Sequence, residues 1–315
     1  MAKKISLTNK VQEEDGGQRL DSVAAKYFPQ FSRAHIQRWI KEGSLLLNQT
    51  KVKPRFLVNA EDSIVIEATE ESQLTDLPED INLEVVWEDE QVLVLNKPAG
   101  LVVHPGAGNR TGTLVNGLLN YNNELGYLPR AGIVHRLDKD TSGIMVVAKT
   151  EVAYLDLVKQ LKERTVKRNY LAVVVGEPIS GGTVDKPIGR HPKHRTKQAV
   201  VLSGKEAITD YKIEEKFNGY SLLHASLKTG RTHQIRVHFS FINMPIVGDA
   251  LYGGKQKFSP GTTEQLKGKL SQFSRQALHA FSLSFYHPLT QEVISNSVDM
   301  PEDMRDLISL LKGHE

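Results

Sequence analysis

Between Gly132 and Gly143 the chain reads Gly-Ile-Val-His-Arg-Leu-Asp-Lys-Asp-Thr-Ser-Gly, and these residue types could do chemistry. Arg136 and Lys139 flank Asp138, and neighbouring positive charge favours an ionised carboxylate, the form that a nucleophile or general base requires. Asp138 and Asp140 could instead divide acid and base roles, as paired carboxylates do in glycosidic-bond cleavage. The same run is also what a plain polar turn looks like, with Asp140 or Thr141 bonding nearby backbone. Spacing alone leaves all three readings open.

Three other polar clusters interrupt the apolar runs. His104 to Gly112 is glycine-rich, but its Gly-x-Gly-x-x-x-Gly spacing is neither the dinucleotide fingerprint nor a P-loop, so it reads as a loop. Lys186 to Lys197 contains Lys186, Arg190, Lys193, Arg195 and Lys197 without an acidic residue. Pro187 and Pro192 disfavour a helix there, and so dense a positive charge suits nucleic-acid phosphates. Lys228 to His238 holds His233 and His238, which with distant His279 do not make a metal-binding helix motif, so no metal is expected. The absence of cysteine removes disulfides, zinc–thiolate sites, iron–sulfur clusters and a thiol nucleophile.

The elements that must position these clusters are legible from periodicity. Leu20, Val23, Ala24 and Tyr27 follow helical spacing; Ile36, Trp39 and Ile40 continue a second helix after Ser32, a candidate N-cap, with Gly43 as its stop. Strand-like runs follow at 45–47 and 63–68, then, beyond an acidic stretch, at 92–95, 143–148, 171–175, 221–227 and 281–285. A helix with Tyr154, Leu157, Val158 and Leu161 on one face and Thr150 as cap lies between the fourth and fifth of these runs. Strands without regular helical spacers predict an α+β chain with a mixed, mostly antiparallel central sheet. From Glu61 to Glu90 there are acidic residues but no basic ones, which predicts a small module over 14–72, an acidic linker over 73–82 and a large domain over 83–312.

Charge counts give 40 basic against 37 acidic residues, a net of +3 over 315 residues, too weak to imply a nucleic-acid partner by itself. Its distribution is more telling: Arg33, Arg38, Lys41, Lys51, Lys53 and Arg55 stand against Glu42 alone in the second helix and the turns after it. That patch could grip phosphates or be an ordinary solvated face. No apolar run approaches membrane-spanning length and no leader-like stretch opens the chain, so no membrane contact and a cytoplasmic location are expected.

His135-Arg136-Leu137-Asp138-x-x-Thr141-Ser142-Gly143 resembles the signature of the RluA-type pseudouridine synthases. Other blocks resemble that family's motifs in its order: Asn96-Lys97-Pro98-x-Gly100-x-x-x-His104, Arg168-x-Tyr170-x-Ala172-x-Val174-x-Gly176, Lys186-Pro187-Ile188-x-Arg190, Leu227 to Arg236, Gly248-Asp249-x-x-Tyr252-Gly253 and Gln276 to Ala280. The amino-terminal stretch Ser32 to Ile40 with the Gly-x-Leu-x-Leu-Asn run from Gly43 to Asn48 is similar to an S4 RNA-binding domain. The likeness is nearest to the branch that modifies large-subunit ribosomal RNA.

The resemblance implies a pseudouridine synthase fold and a cofactor-free isomerisation in which the uracil N1–C1′ bond breaks, the base turns and C5 bonds to C1′. It maps the essential aspartate to Asp138, leaving open whether that group attacks the sugar, attacks the base or removes the ribose 2′ proton. It maps a base-packing and proton-handling tyrosine to Tyr170, the carboxylate's guanidinium partner to Arg231, and a residue that fills the space of the flipped base to Arg136, with His135 and Thr141 in support. It implies large-subunit ribosomal RNA, or the pre-50S particle, as partner of a chain expected to be monomeric, with the basic residues of 33–53 and 186–197 holding RNA. A non-catalytic ribosome-assembly factor using the same RNA surfaces, or a hydrolase using Asp138 and Asp140, would be the competing readings.

Overall fold

The computed structural model describes residues 2–71, 76–106, 108–194, 196–253 and 258–313. The amino-terminal module is a three-stranded antiparallel sheet, β1 (Ala2–Lys10), β3 (Ser63–Glu71) and β2 (Leu45–Leu47) in that order, covered by α1 (Leu20–Tyr27) and α2 (Arg33–Glu42). Ser32 caps α2 by accepting a hydrogen bond from the His35 N–H at 3.1 Å, and Gly43 ends it with φ of 91°. Ile36, Trp39 and Ile40 on the inner face of α2 pack against Leu20, Ile64 and Ile66. The module starts earlier than the expected residue 14. Ile5 and Leu7 alternate with polar neighbours and sit opposite Ala68 and Ile66, which makes β1 an edge strand.

Of the expected linker 73–82, residues 73–75 lie outside the described residues, and the rest is laid along the large domain rather than hanging free. The Asn116 side-chain N–H donates to the Leu77 carbonyl at 2.7 Å, the Glu79 carboxylate accepts from the Gly112 N–H, and Ile81 lies against Gly117, where a Cβ would come within 3.1 Å. Sequence charge could not reveal this, because the anchoring bonds come from α3 (Leu114–Tyr121) and the turn before it, 33 and 39 residues downstream.

The large domain is built on a nine-stranded sheet. Its strands are β4 (Glu84–Glu88), β5 (Val92–Lys97), β6 (Ser142–Ala148), β7 (Lys167–Val175), β8 (Gly182–Asp185), β11 (Ile208–Phe217), β12 (Tyr220–Leu227), β13 (Leu278–Tyr286) and β14 (Val293–Ser297). They run in the order β4-β5-β6-β13-β7-β12-β11-β8, with β14 on β13. Only the β6–β13 pairing is parallel, so the sheet is mixed and mostly antiparallel as expected. Alternation distributes the central strands between two cores. Leu93, Leu95, Met145 and Val147 face α3 (Leu114–Tyr121), whereas Val92, Val94, Ile144 and Val146 face α4 (Glu151–Glu163). A short antiparallel pair, β9 (Ile188–Arg190) and β10 (Gln198–Val200), brackets most of the expected basic loop, and α5 (Gln234–Phe241), α6 (Glu264–Gln272) and α7 (Glu302–Lys312) complete the domain.

Two carboxylate oxygens hold the amino-terminal module to the large one. Glu151, at the start of α4, accepts from the Ser32 hydroxyl at 3.0 Å and the Ser32 N–H at 3.2 Å, and meets His35 Nδ1 at 2.7 Å. The His35 contact and these Ser32 donors hold the Glu151 carboxyl below its ordinary pKa against the opposing effect of burial.

Candidate active site

Asp138 lies in the loop that feeds β6, and two glycines set that loop's path. Gly132 has φ of +76°, and a Cβ there would fall 1.9 Å from the Ala148 carbonyl oxygen; Gly143 has φ of +121°, and its Cβ would fall 2.2 Å from the Ala280 carbonyl oxygen. Gly143 is thus required where β6 meets its parallel partner β13. Inside the loop the Thr141 N–H donates to the Asp138 carbonyl at 3.1 Å, and the buried Thr141 hydroxyl accepts from Gln276 Nε2 at 3.0 Å.

Below the loop, Lys97 is wholly buried and spends its three N–H donors on the carbonyls of Pro98, Leu101 and Lys139, at 2.7, 2.9 and 2.9 Å. Burial lowers its pKa to about 7, with the Asp140 and Asp138 carboxylates pulling the other way. Since the Gly100 N–H also donates to the Lys139 carbonyl, the backbone next to Asp138 is fixed from beneath.

The Asp138 side chain opens into a cleft of about 1040 Å³. Among the described residues the lining carries two carboxylates, Asp76 and Asp138, against a larger set of cations that includes Arg130, Arg136, Lys162, Arg164 and Lys228. Such a surface concentrates polyanions. Asp140 does not line the cleft, which separates the two carboxylates that a hydrolase would have to use together.

The guanidinium on Asp138 belongs to Arg236. Its Nη1 donates to Asp138 Oδ2 at 2.9 Å, while its Nε and Nη2 donate to the two oxygens of Asp249 at 2.7 and 2.9 Å. Arg231, expected in this role, lines the cleft but donates its Nε to the Glu206 carbonyl at 2.9 Å. The reason is local: Arg231 lies in the loop before α5, and Arg236 lies inside that helix, whose turn carries it inward toward Asp138. The burial cost of Arg236 is outweighed by the two carboxylates, which push its pKa up.

The other oxygen of Asp138 faces His233, whose Nε2 is 3.8 Å away. His233 Nδ1 is 2.7 Å from the Tyr252 hydroxyl, which also accepts the Gln198 N–H of β10 at 2.8 Å. Lys197 donates to the Leu251 carbonyl at 2.7 Å, so the basic hairpin is tied twice to the turn beside the site. Burial holds His233 neutral. In the tautomer whose Nδ1 accepts a hydrogen bond from the Tyr252 hydroxyl, the ring presents Nε2–H toward Asp138.

The remaining expected site residues are placed as follows. Tyr170 on β7 is buried in the cleft wall, and burial, with Asp138 adding to it and Arg168 opposing, pushes its hydroxyl up to about 12. Arg136 is exposed at the cleft. His135 turns its Nε2 inward to accept the Val146 N–H at 3.1 Å, and burial lowers its pKa to about 3, so it is a neutral structural acceptor.

In the basic patches, Lys41, Lys51 and Lys53 are exposed, Arg33 is exposed but paired with the buried Asp21 at 2.9 Å, and Arg38 contacts His35 at 2.6 Å. Lys186, Arg190 and Lys193 are exposed on or beside the hairpin, Lys197 is half-buried in its bond to Leu251, and Arg195 lies outside the described residues.

Sequence reasoning passed over Arg236, Asp249 and the His233–Tyr252 pair as acting groups. One signal was available: Gln-Ile-Arg-Val-His-Phe places an arginine inside an otherwise apolar helix, and a buried arginine is ordinarily paired with a carboxylate.

Residues 91–241 match the family model for RNA pseudouridylate synthase, and residues 18–64 match that of the S4 domain. The chain is 50 % identical over 302 residues to the ribosomal large subunit pseudouridine synthase D of Xanthomonas campestris pv. campestris, covering 96 % of this chain and 91 % of that protein. It is 48 % identical over 312 residues to the Pseudomonas aeruginosa protein of the same name, covering 99 % and 98 %. Among solved structures, human RNA pseudouridylate synthase domain containing 4 superposes with a TM-score of 0.58 at 26 % identity, covering 73 % of this chain and 93 % of that one.

Proposed function

The chain belongs to the RNA pseudouridylate synthases, isomerases of RNA uridine, and on that premise we propose that it modifies uridines of large-subunit ribosomal RNA with Asp138 as the catalytic group. The target class rests on relatives that match essentially the whole chain and are named ribosomal large subunit pseudouridine synthase D. The assignment of Asp138 rests on one observation: its carboxylate is anchored through Oδ2 by Arg236 and lines, with Tyr170, a basic cleft.

The physics of the substrate fits that arrangement. A stacked uridine cannot present its glycosidic bond, so it must be everted at a cost of roughly a few kcal/mol, which phosphate contacts along the cleft and the basic hairpin offset. The everted base then packs on the Tyr170 ring. With its hydroxyl pushed up to about 12, Tyr170 serves as a packing surface and hydrogen-bond donor, not as a phenolate base. Breaking N1–C1′ leaves the bond's electron pair on the base; rotation brings C5 to C1′, and the C5 proton is exchanged for one on N1, so atoms and charge balance without a cofactor. Arg136, whose exposure at the cleft supports the role, fills the stack left by the base. The S4 module adds Lys41, Lys51 and Lys53 as phosphate contacts on flanking RNA. We further infer a monomeric enzyme, and a ribosomal RNA substrate supports a cytoplasmic one.

The test is release of tritium from ribosomal RNA fragments labelled at uridine C5. Asp138→Asn should abolish release while RNA retention persists. Continued release by that variant would exclude Asp138 as the catalytic group, and free uracil as product would replace the isomerase by a hydrolase.

A further inference from the structure

Arg168 has no place in the chemistry above, yet it occupies an expensive position. It lies two residues before Tyr170 on β7, so the two side chains share one face of the strand, and both line the cleft. It is only 7 % exposed. Among the described residues it forms no ion pair, and its Nε has no hydrogen-bond partner. Burial pushes its pKa down, the nearby Tyr170 opposing. A buried cation is ordinarily paired, and one left unpaired costs stability unless something else completes it. The fold nevertheless makes room for it: a Cβ at Gly230, in the loop before α5, would lie 2.6 Å from Arg168 Nη1.

We propose that Arg168 is a substrate-binding residue whose guanidinium donates to a carbonyl oxygen of the everted uracil. This deepens the pseudouridine synthase reading and rests on it. The ligand must bring oxygen acceptors into a nearly dry recess beside the Tyr170 ring, and the base is the part of the nucleotide that the ring packs against. When the N1–C1′ bond breaks, its electron pair spreads over the base onto O2 and O4. A guanidinium already fixed there binds the departing base more strongly than the bound uridine, which accelerates the step. A phosphate is the other oxygen-rich source in the substrate; it would leave the base carbonyls without a donor and is distinguished by the experiment.

The experiment measures single-turnover tritium release at saturating RNA and thermal stability for the full chain and Arg168→Met, with Gly230→Ala as a second route to displacing the guanidinium. Arg168→Met is expected to lower the saturated rate by roughly 10²-fold, the scale of losing one preorganised donor. It is expected also to raise the melting temperature, since an unpartnered buried cation is removed. Gly230→Ala should lower the rate in the same direction. A merely structural arginine would instead lower the melting temperature when replaced.

Substrates with 2-thiouridine or 4-thiouridine at the target, or with a methylphosphonate beside it, identify the acceptor. One thio substitution should slow the wild type while adding little to the loss in Arg168→Met. A loss that overlaps only with the methylphosphonate, or multiplies with all three, overturns the proposal. So does an Arg168→Met rate within about twofold of wild type, well inside the loss expected for a removed donor. Absence of tritium release from the wild type would be failure of the underlying function, and is read separately.

Discussion

Replacing Arg236 by Met separates holding Asp138 from holding the fold. Arg236 makes three charged hydrogen bonds, one to Asp138 and two to Asp249, whose side chain is fully buried. Removing the cation strands the Asp249 charge, and breaking a buried pair from one side costs about 3–5 kcal/mol. For a domain of this size each kcal/mol moves the melting temperature by roughly 2–4 °C, so a fall of roughly 6–20 °C is expected.

The bond to Asp138 is a separate quantity. One hydrogen bond to a charged group is worth about 1.5–3 kcal/mol, which lowers the saturated rate roughly 10- to 150-fold if it orients the reacting carboxylate. Adding Asp249→Asn to Arg236→Met keeps an oxygen for the Leu251 and Tyr252 N–H donors while removing the stranded charge. That double variant should regain most of the melting temperature and little of the rate. Arg231→Met, which loses only the bond to the Glu206 carbonyl, should weaken RNA binding and leave the saturated rate near wild type. Single-turnover tritium release at several RNA concentrations separates these effects. An Arg231→Met enzyme as slow at saturation as Arg236→Met, or a double variant that regains rate along with stability, would refute the assignment of Arg236 as the partner of Asp138.

Three further outcomes follow from the same geometry. Because the Tyr170 hydroxyl is pushed up to about 12, it stays protonated at working pH; Tyr170→Phe should leave the shape of the pH–rate curve unchanged up to pH 10, and loss of an alkaline limb in Phe would show that the phenol titrates in the reaction. His135 has a folded pKa of about 3 against an ordinary 6.5, so below 6.5 the unfolded chain binds a proton that the folded chain does not. Its contribution is therefore complete above pH 6.5 and lost as pH falls toward 3, on the order of 5 kcal/mol, and denaturant melts of His135→Gln should show a correspondingly shallower acid slope than wild type. Gly143→Ala places a Cβ 2.2 Å from the Ala280 carbonyl oxygen at φ of +121° and should destabilise by more than about 3 kcal/mol; an Ala variant with wild-type melting would mean that β6 and β13 can part without cost.

The sequence by itself determined the local structure and the place of the candidate catalytic carboxylate. Helical spacing with Ser32 and Gly43 defined α2, β-branched runs defined the central strands, and the motif around Asp138 placed a carboxylate next to cations, because caps, periodicity and turn residues act within a few positions of one another. Only the tertiary structure decided which charges meet. Arg231 and Arg236 are both near in sequence to the cleft, and the direction of α5 chose between them; Asp249 and Tyr252 reached Arg236 and His233 through a turn that no spacing rule describes. The buried guanidinium at 168 beside Gly230, the strap of residues 77–81 on α3 and the Glu151 contact between modules likewise join distant segments. A side chain's chemical type is a property of one residue, whereas its desolvation and its partners depend on everything the fold packs around it.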